Sequence, residues 1–286
     1  MKGKRGTMIK LCFYEFRLES HSKRVWLGYF VGSVVILKQT MGYLLYSSGA
    51  GLSENVLEAF IISGNTYNTV MFLVLGWLLV ISEAPFVNHN STFLIYRTTR
   101  RKWNGGMLLY ILLQGICYYA ILALSSIIPG MANGYFADIW SSAIINLGTN
   151  RNAFNGIEVY FPYHVFMKEV SVFKAFALTW TLCFAYGLII AMILYVFNLF
   201  ANRVMGVLAA FAFHFLGYEI MKEGFMVVIR YSLLARSVPV LLIGSNLGVS
   251  TEQSYLLFML IAAGLTTASA VIIKHVDFNN LSRGKE

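Results

Sequence analysis

Apolar residues in this chain are gathered into blocks, with polar and basic stretches between them. Six blocks stand out, at about Val25 to Tyr46, Tyr67 to Ser82, Met107 to Ile128, Phe173 to Phe197, Val204 to Ile220 and Ser254 to Ile273. At about 1.5 Å per helical residue, such runs are long enough to cross roughly 30 Å of hydrocarbon. None shows the in-out alternation of a barrel strand, and each is about twice a strand's length. Helices, whose backbone polar groups are satisfied within the span, are therefore expected. The pattern predicts an all-α membrane protein with one transmembrane domain: a six-span bundle over 25–273, an interfacial helix within 1–24 and a tail over 274–286.

The segments between the blocks carry patterns of their own. Over residues 8–24, Met8, Leu11, Cys12, Glu15 and Leu18 follow one rough helical stripe, with Ile9, Phe13 and Phe16 beside it and basic residues elsewhere. That is the pattern of a helix lying at a membrane surface, either as an anchor for the first span or as a lever on a partner. Between the fifth and sixth blocks, Gly224 to Ala235 and Val238 to Val249 are two apolar runs separated by Arg236 and Pro239 and too short to cross alone. A single further span there would bury Arg230 and Arg236 at high cost, so re-entrant helices are expected. The segment Gly130 to Val172 holds Tyr135, Phe136, Trp140, Phe154, Tyr160, Phe161, Tyr163 and Phe166, rings suited to an interfacial cap.

Composition agrees with the pattern and charge orients it. Hydrophobic residues make up 58% of the 286, charged residues 12%, and mean hydropathy is +0.66, outside the range of a soluble domain of this length. Of 22 Lys and Arg residues, 15 fall on one face of a six-span topology: Lys2, Lys4, Arg5, Lys10, Arg17, Lys23, Arg24, Arg97, Arg100, Arg101, Lys102, Arg203, Lys274, Arg283 and Lys285. The positive-inside rule makes that face cytoplasmic, with both termini inside. The net charge of +9 is then a topogenic and lipid-facing bias rather than a nucleic-acid footprint. Ser47 to Gly51 follows a basic and then apolar stretch as a signal-peptide cleavage site would, but the basic region is long and Lys38 and Gln39 interrupt the apolar core.

Motifs for chemistry are sparse. Cys12, Cys117 and Cys183 form no CxxC pair, the five histidines never pair at i, i+3 or i, i+4, and no HExxH, GxSxG or GxxxxGK[ST] occurs. No metal or cofactor held by this chain is expected, nor enzymatic activity of its own. Asn90 and Thr92 match a glycosylation sequon in a loop expected to face the cytoplasm. Within the blocks, Lys38, Gln39 and His214 are the intramembrane polar groups, with Tyr218 one turn after His214. Such residues are candidate pathway-lining groups.

The loop over 82–106 is the most informative stretch. It opens with Glu83 and Pro85, runs through Phe93, Leu94, Ile95 and Tyr96, and closes with Arg97, Arg100, Arg101 and Trp103 before Gly105 and Gly106. Topology explains the arginines but not the adjoining apolar turn, which suits a short helix seated in a groove of a soluble protein. Through this loop, the amphipathic N-terminal segment and the six-block topology, nearly the whole chain resembles the membrane subunits of ABC-2 type transporters. The resemblance implies a permease of an ATP-driven exporter in the plasma membrane, bacterial in origin, working as a homo- or heterodimer with separate ABC ATPase subunits that hold ATP and Mg. It implies that Glu83, Phe93, Leu94, Tyr96, Arg97, Arg100, Arg101 and Trp103 form the ATPase-coupling loop. The short chain, its aromatic outer region and its few buried charges suit an amphipathic peptide, drug or lipid as cargo. A secondary transporter or channel-like protein without an ATPase is the alternative, although every Asp and Glu lies in a loop or at a block's end rather than at the midplane.

Overall fold

Glycines decide how closely the first two long helices approach. In a computed structural model of the chain, α1 (Lys2–Glu19) is followed by α2 (Lys23–Gly49), and α2 lies against α4 (Tyr67–Ile81) at Gly28 and Gly76. A Cβ at Gly28 would sit 2.6 Å from the Gly76 carbonyl oxygen, and one at Gly32 would collide with the Tyr118 hydroxyl. Small residues spaced by four bring two backbones together where no hydrophobic effect drives helix pairing. Residues 2–85, 98–149, 164–224, 226–243 and 248–276 are described.

Each of the six apolar blocks forms a helix. Beyond α2 and α4 these are α5 (Arg100–Gly130), α8 (Val172–Phe200), α9 (Arg203–Lys222) and α13 (Thr251–Ile272). Four of them, α5, α8, α9 and α13, are each long and apolar enough to cross a membrane. A fifth crossing arises if α3 (Glu58–Asn65) and α4, bent by 89° at Thr66, count as one broken span. The described residues contain no strand; one isolated bridge pairs Asn55 with Tyr135. Side-chain caps mark two starts: Asn202 accepts from the Met205 amide at 2.9 Å, and Ser250 and Gln253 form a reciprocal capping box on α13.

The helices run between two ends. At one, here the basic end, Arg24, Arg100 and Arg203 meet the ends of α4 and α13 and the stretch after α4. The far end holds α3, α6 (Ser142–Thr149), α7 (His164–Glu169) and the one-turn helices α10 (Met226–Ile229), α11 (Leu233–Arg236) and α12 (Pro239–Leu242). One core cluster runs through the bundle around Trp77, Tyr118, Tyr119, Tyr186 and Tyr195; a second fills the far end around Tyr43, Ile61, Ile144, Phe166 and Val240. The most apolar stretch of α8 is 67% buried, whereas that of α13 is 11% buried. α8 is thus the central post, and α9 and α13 present apolar faces outward, including Leu208, Leu216, Met259 and Leu260.

Two expectations take a different form. The runs Gly224 to Ala235 and Val238 to Val249 do not form two re-entrant helices of a dozen residues; their described part is three single turns, broken at the Ser232 cap, at Ser237 and at Pro239. These turns seat Leu234, Ala235 and Val240 against the bundle, and Asn65 Oδ1 accepts from the Val240 amide at 2.9 Å. In the amphipathic helix, Leu11, Cys12 and Glu15 are buried as one stripe, but Leu18 is exposed and Glu19 takes its place.

Candidate coupling site and buried polar residues

The first residues of the 82–106 loop are held by a clasp of charged and amide side chains at the basic end. Arg24, on the first turn of α2, donates from Nη1 to the carbonyls of Leu79 at 2.9 Å and Val80 at 3.1 Å and to Ser82 Oγ at 2.8 Å. A cation that bonds the last carbonyls of a helix both satisfies orphan acceptors and complements the dipole. Arg24 Nη2 also donates to Glu19 Oε2 at 2.6 Å, tying α1 to the same point. Glu83 then lies between two cations, 3.6 Å from Arg24 Nε and 3.8 Å from Arg203 Nη1 at the start of α9. Asn198, near the end of α8, donates to the Ala84 carbonyl. The stretch Ser82 to Ala84 is therefore tied to α2, α8 and α9 directly, and through Arg24 to α1.

Of the residues predicted for the coupling loop, Phe93, Leu94, Tyr96 and Arg97 lie outside the described residues. The others are separated by the fold. Arg101 is exposed at the start of α5, while Arg100 donates to the carbonyl of Lys274 at 2.6 Å just past the end of α13. Trp103 is wholly buried in the first turn of α5, within the bundle core and not on a docking surface. Gly105 and Gly106 are where α1 meets α5: a Cβ at Gly105 would collide with Met8, and one at Gly106 would sit 3.0 Å from Leu11 Cβ.

The predicted pathway residues also part company. His214 is wholly buried and bridges α8, α9 and α4: its Nδ1 lies 2.7 Å from the Tyr186 hydroxyl and its Nε2 lies 3.1 Å from the Met71 carbonyl. The carbonyl can only accept, so Nε2 carries the proton and Tyr186 donates to Nδ1. Both ring nitrogens are thereby used in holding helices together. The Tyr218 hydroxyl donates to Asn68 Oδ1 at 3.1 Å. Lys38 is exposed halfway along α2, away from the buried stripe of Gly28, Gly32, Ile36, Thr40 and Tyr43; Gln39 beside it has a buried Nε2 with no hydrogen-bond partner among the described residues.

Two polar clusters lay beyond the sequence reading. In the bundle, Asn104 Nδ2 donates to Ser269 Oγ at 3.1 Å and Asn104 Oδ1 accepts from Tyr195 at 2.7 Å, joining α5, α13 and α8. At the far end, Glu58 is wholly buried and accepts four hydrogen bonds: from the Tyr43 hydroxyl and Ser141 hydroxyl at 2.6 Å each, the Ser141 amide at 2.7 Å and the Asn55 amide at 3.1 Å. Asn55 in turn donates to the Ala137 carbonyl at 2.6 Å, and the Glu54 carboxylate, raised above the usual range by burial, accepts from Ser47. The signal for Glu58 was a lone acid inside the apolar run Val56 to Ile62. Among the described residues no group of three or more His, Cys, Asp or Glu is placed to hold a metal ion. Comparison with protein-family models, with curated proteins and with solved structures found no match.

Proposed function

We propose that this chain is the membrane-spanning permease subunit of an ATP-driven exporter of the ABC-2 type, moving an amphipathic peptide, drug or lipid outward. In this reading the six apolar helices are spans with both termini in the cytoplasm, and two permease halves, identical or related, enclose the pathway. ATP and Mg belong to a separate ATPase pair. The observation that carries the reading is the clasp on Ser82, Glu83 and Ala84. A push on the 82–106 loop would pass through Arg24, Asn198 and Arg203 into α2, α8 and α9 together, which is what a coupling loop requires of its attachment. A loop that merely connected two spans would need no such attachment.

The test is co-purification from the native host. Detergent-solubilised wild type should bring down an ATP-binding subunit that the triple change of Phe93, Leu94 and Tyr96 to Ala no longer holds. If no ATPase accompanies either form after mild crosslinking, the exporter reading fails, and a secondary transporter or channel-like protein without an ATPase takes its place.

A further inference from the structure

The acids of α1 and its bases Lys10 and Arg17 face opposite ways. Glu15 is wholly buried and Glu19 is 5% exposed, both turned toward the bundle. Lys10, Arg17 and His21 are exposed, and with Tyr14 they recur at i, i+4, i+7 and i+11, which sets them in one stripe along the outward face. Apolar side chains edge that stripe: Ile9 and Phe13 on one side and Leu18 on the other, Phe13 being 60% exposed. Tyr14, Arg17, Leu18 and His21 line an open depression of about 340 Å³. The basic, acid-free surface runs into the apolar outer face of α2, because Trp26 donates its indole N–H to the Ser20 carbonyl at 2.8 Å and leads to the exposed Leu27 and Phe30.

We infer that this face of α1 is a binding site for the headgroup of an anionic phospholipid, the phosphate lying between Lys10 and Arg17 with Tyr14 and His21 as further hydrogen-bonding groups and the acyl chains running along Phe13, Leu18 and the outer face of α2. Charge complementarity selects the occupant. A zwitterionic headgroup would bring a cation of its own against Arg17, and no carboxylate of α1 faces outward to receive it. The apolar edges select a lipid over a free anion, since inorganic phosphate has no use for Ile9, Phe13 and Leu18. An indole at the junction between the basic face and the apolar one occupies the level at which tryptophan favours a membrane interface. Binding here requires α1 at a membrane surface but no ATPase, so it stands or falls apart from the exporter reading.

Native mass spectrometry of the whole purified protein tests the site, with phosphatidylglycerol and phosphatidylcholine supplied at equal concentration. Phosphatidylglycerol should be retained in excess, and the Lys10→Gln/Arg17→Gln double variant should lose about thirtyfold of that preference, the size expected when two basic side chains leave a membrane-facing surface. Lys222→Gln, a charge removed at the far end, should change nothing, and Arg17→Lys in place of Arg17→Gln should restore part of the preference in a protein that elutes as the wild type does. Equal retention of the two lipids overturns the proposal, as does undiminished preference in the double variant. Displacement of phosphatidylglycerol by millimolar inorganic phosphate would make this a free-anion site. Loss of a co-purifying soluble subunit with lipid retention intact would make it a protein-docking face.

Discussion

Glu15 and Glu58 are both wholly buried, one at each end of the molecule, and the fold treats them in opposite ways. Glu58 receives four donors from three segments, so an acceptor-only carboxylate is fully used where it sits. Glu15 has neither oxygen hydrogen-bonded among the described residues. A carboxylate withdrawn from water without donors keeps its proton instead: burial, with the charge of Glu19 adding to it, pushes Glu15 from its ordinary value of 4.5 to about 8. The difference separates two kinds of attachment. The far end is locked by a polar centre whose buried acceptor is saturated with donors. The docking of α1 on α5 is sensitive to a single proton.

Removing the far-end centre should produce the largest effect. Glu58→Ala leaves the Ser141 amide, the Asn55 amide and two hydroxyls without their acceptor in a dry site, a loss on the order of 3–5 kcal/mol. The expected outcome is a clear drop in the thermal unfolding midpoint in detergent, together with faster proteolysis around 135–142, the stretch that Ser141 and Asn55 hold down. An unchanged midpoint would show that the far end rests on its apolar cluster alone, and the contrast with Glu15 would collapse.

At the basic end the effect is a pH dependence. In free α1 the Glu15 carboxyl ionises at its ordinary value, whereas docked α1 holds the proton up to about 8. The undocked form thus releases its proton first as pH rises. Docking is strongest below about 4.5, weakens progressively above it, and has lost the whole contribution, a few kcal/mol at most, once pH passes about 8. The groups that bear on this titration are Glu19, engaged by Arg24, and Tyr110 of α5. Hydrogen exchange of the α1 amides measured from pH 5 to 9, after correction for the intrinsic rate, should report the loosening. Glu15→Gln should abolish the slope and leave α1 docked at pH 9. A slope that survives Glu15→Gln would assign the titration to another group.

Much of this frame was legible in the sequence because long apolar blocks have few alternatives. The block at Phe173 to Phe197 reappears as Val172–Phe200, and Ser254 to Ile273 as Thr251–Ile272. The N-terminal helix was legible from its own stripe, on which Leu11, Cys12 and Glu15 are buried together. Contacts between distant segments were not. Periodicity can put Glu15 and Glu58 on helix faces, but only the tertiary structure supplies Ser141 to one and nothing to the other. Trp103 read as part of a basic loop because arginines precede it, yet it lies one turn inside α5 and packs in the core. His214 read as a pathway residue from its depth; its partners Tyr186 and Met71, 28 and 143 positions away, make it a cross-brace. The single turns α10 to α12 escaped because four-residue helices carry no period.

The smallest structural effect is expected at Glu83, and its smallness is what makes the residue useful. Its carboxylate is 41% exposed and stands 3.6 and 3.8 Å from its two cations, an arrangement worth about 0–1 kcal/mol in screened surroundings. The end of α4 is secured instead by the short bonds from Arg24 to Leu79, Val80 and Ser82, which do not involve Glu83. Glu83→Gln should therefore leave the unfolding midpoint almost where it was, whereas it removes a charge that links α2 and α9 at the mouth of the 82–106 loop. If that loop passes motion from an ATPase into the bundle, the variant should retain its partner yet transport less per ATP hydrolysed, measured as the ratio of the two rates in reconstituted vesicles. An unchanged ratio would leave Arg24 and Asn198 as the whole of the clasp. A large stability loss would mean instead that Glu83, exposed as it is, holds the basic end as Glu58 holds the far one.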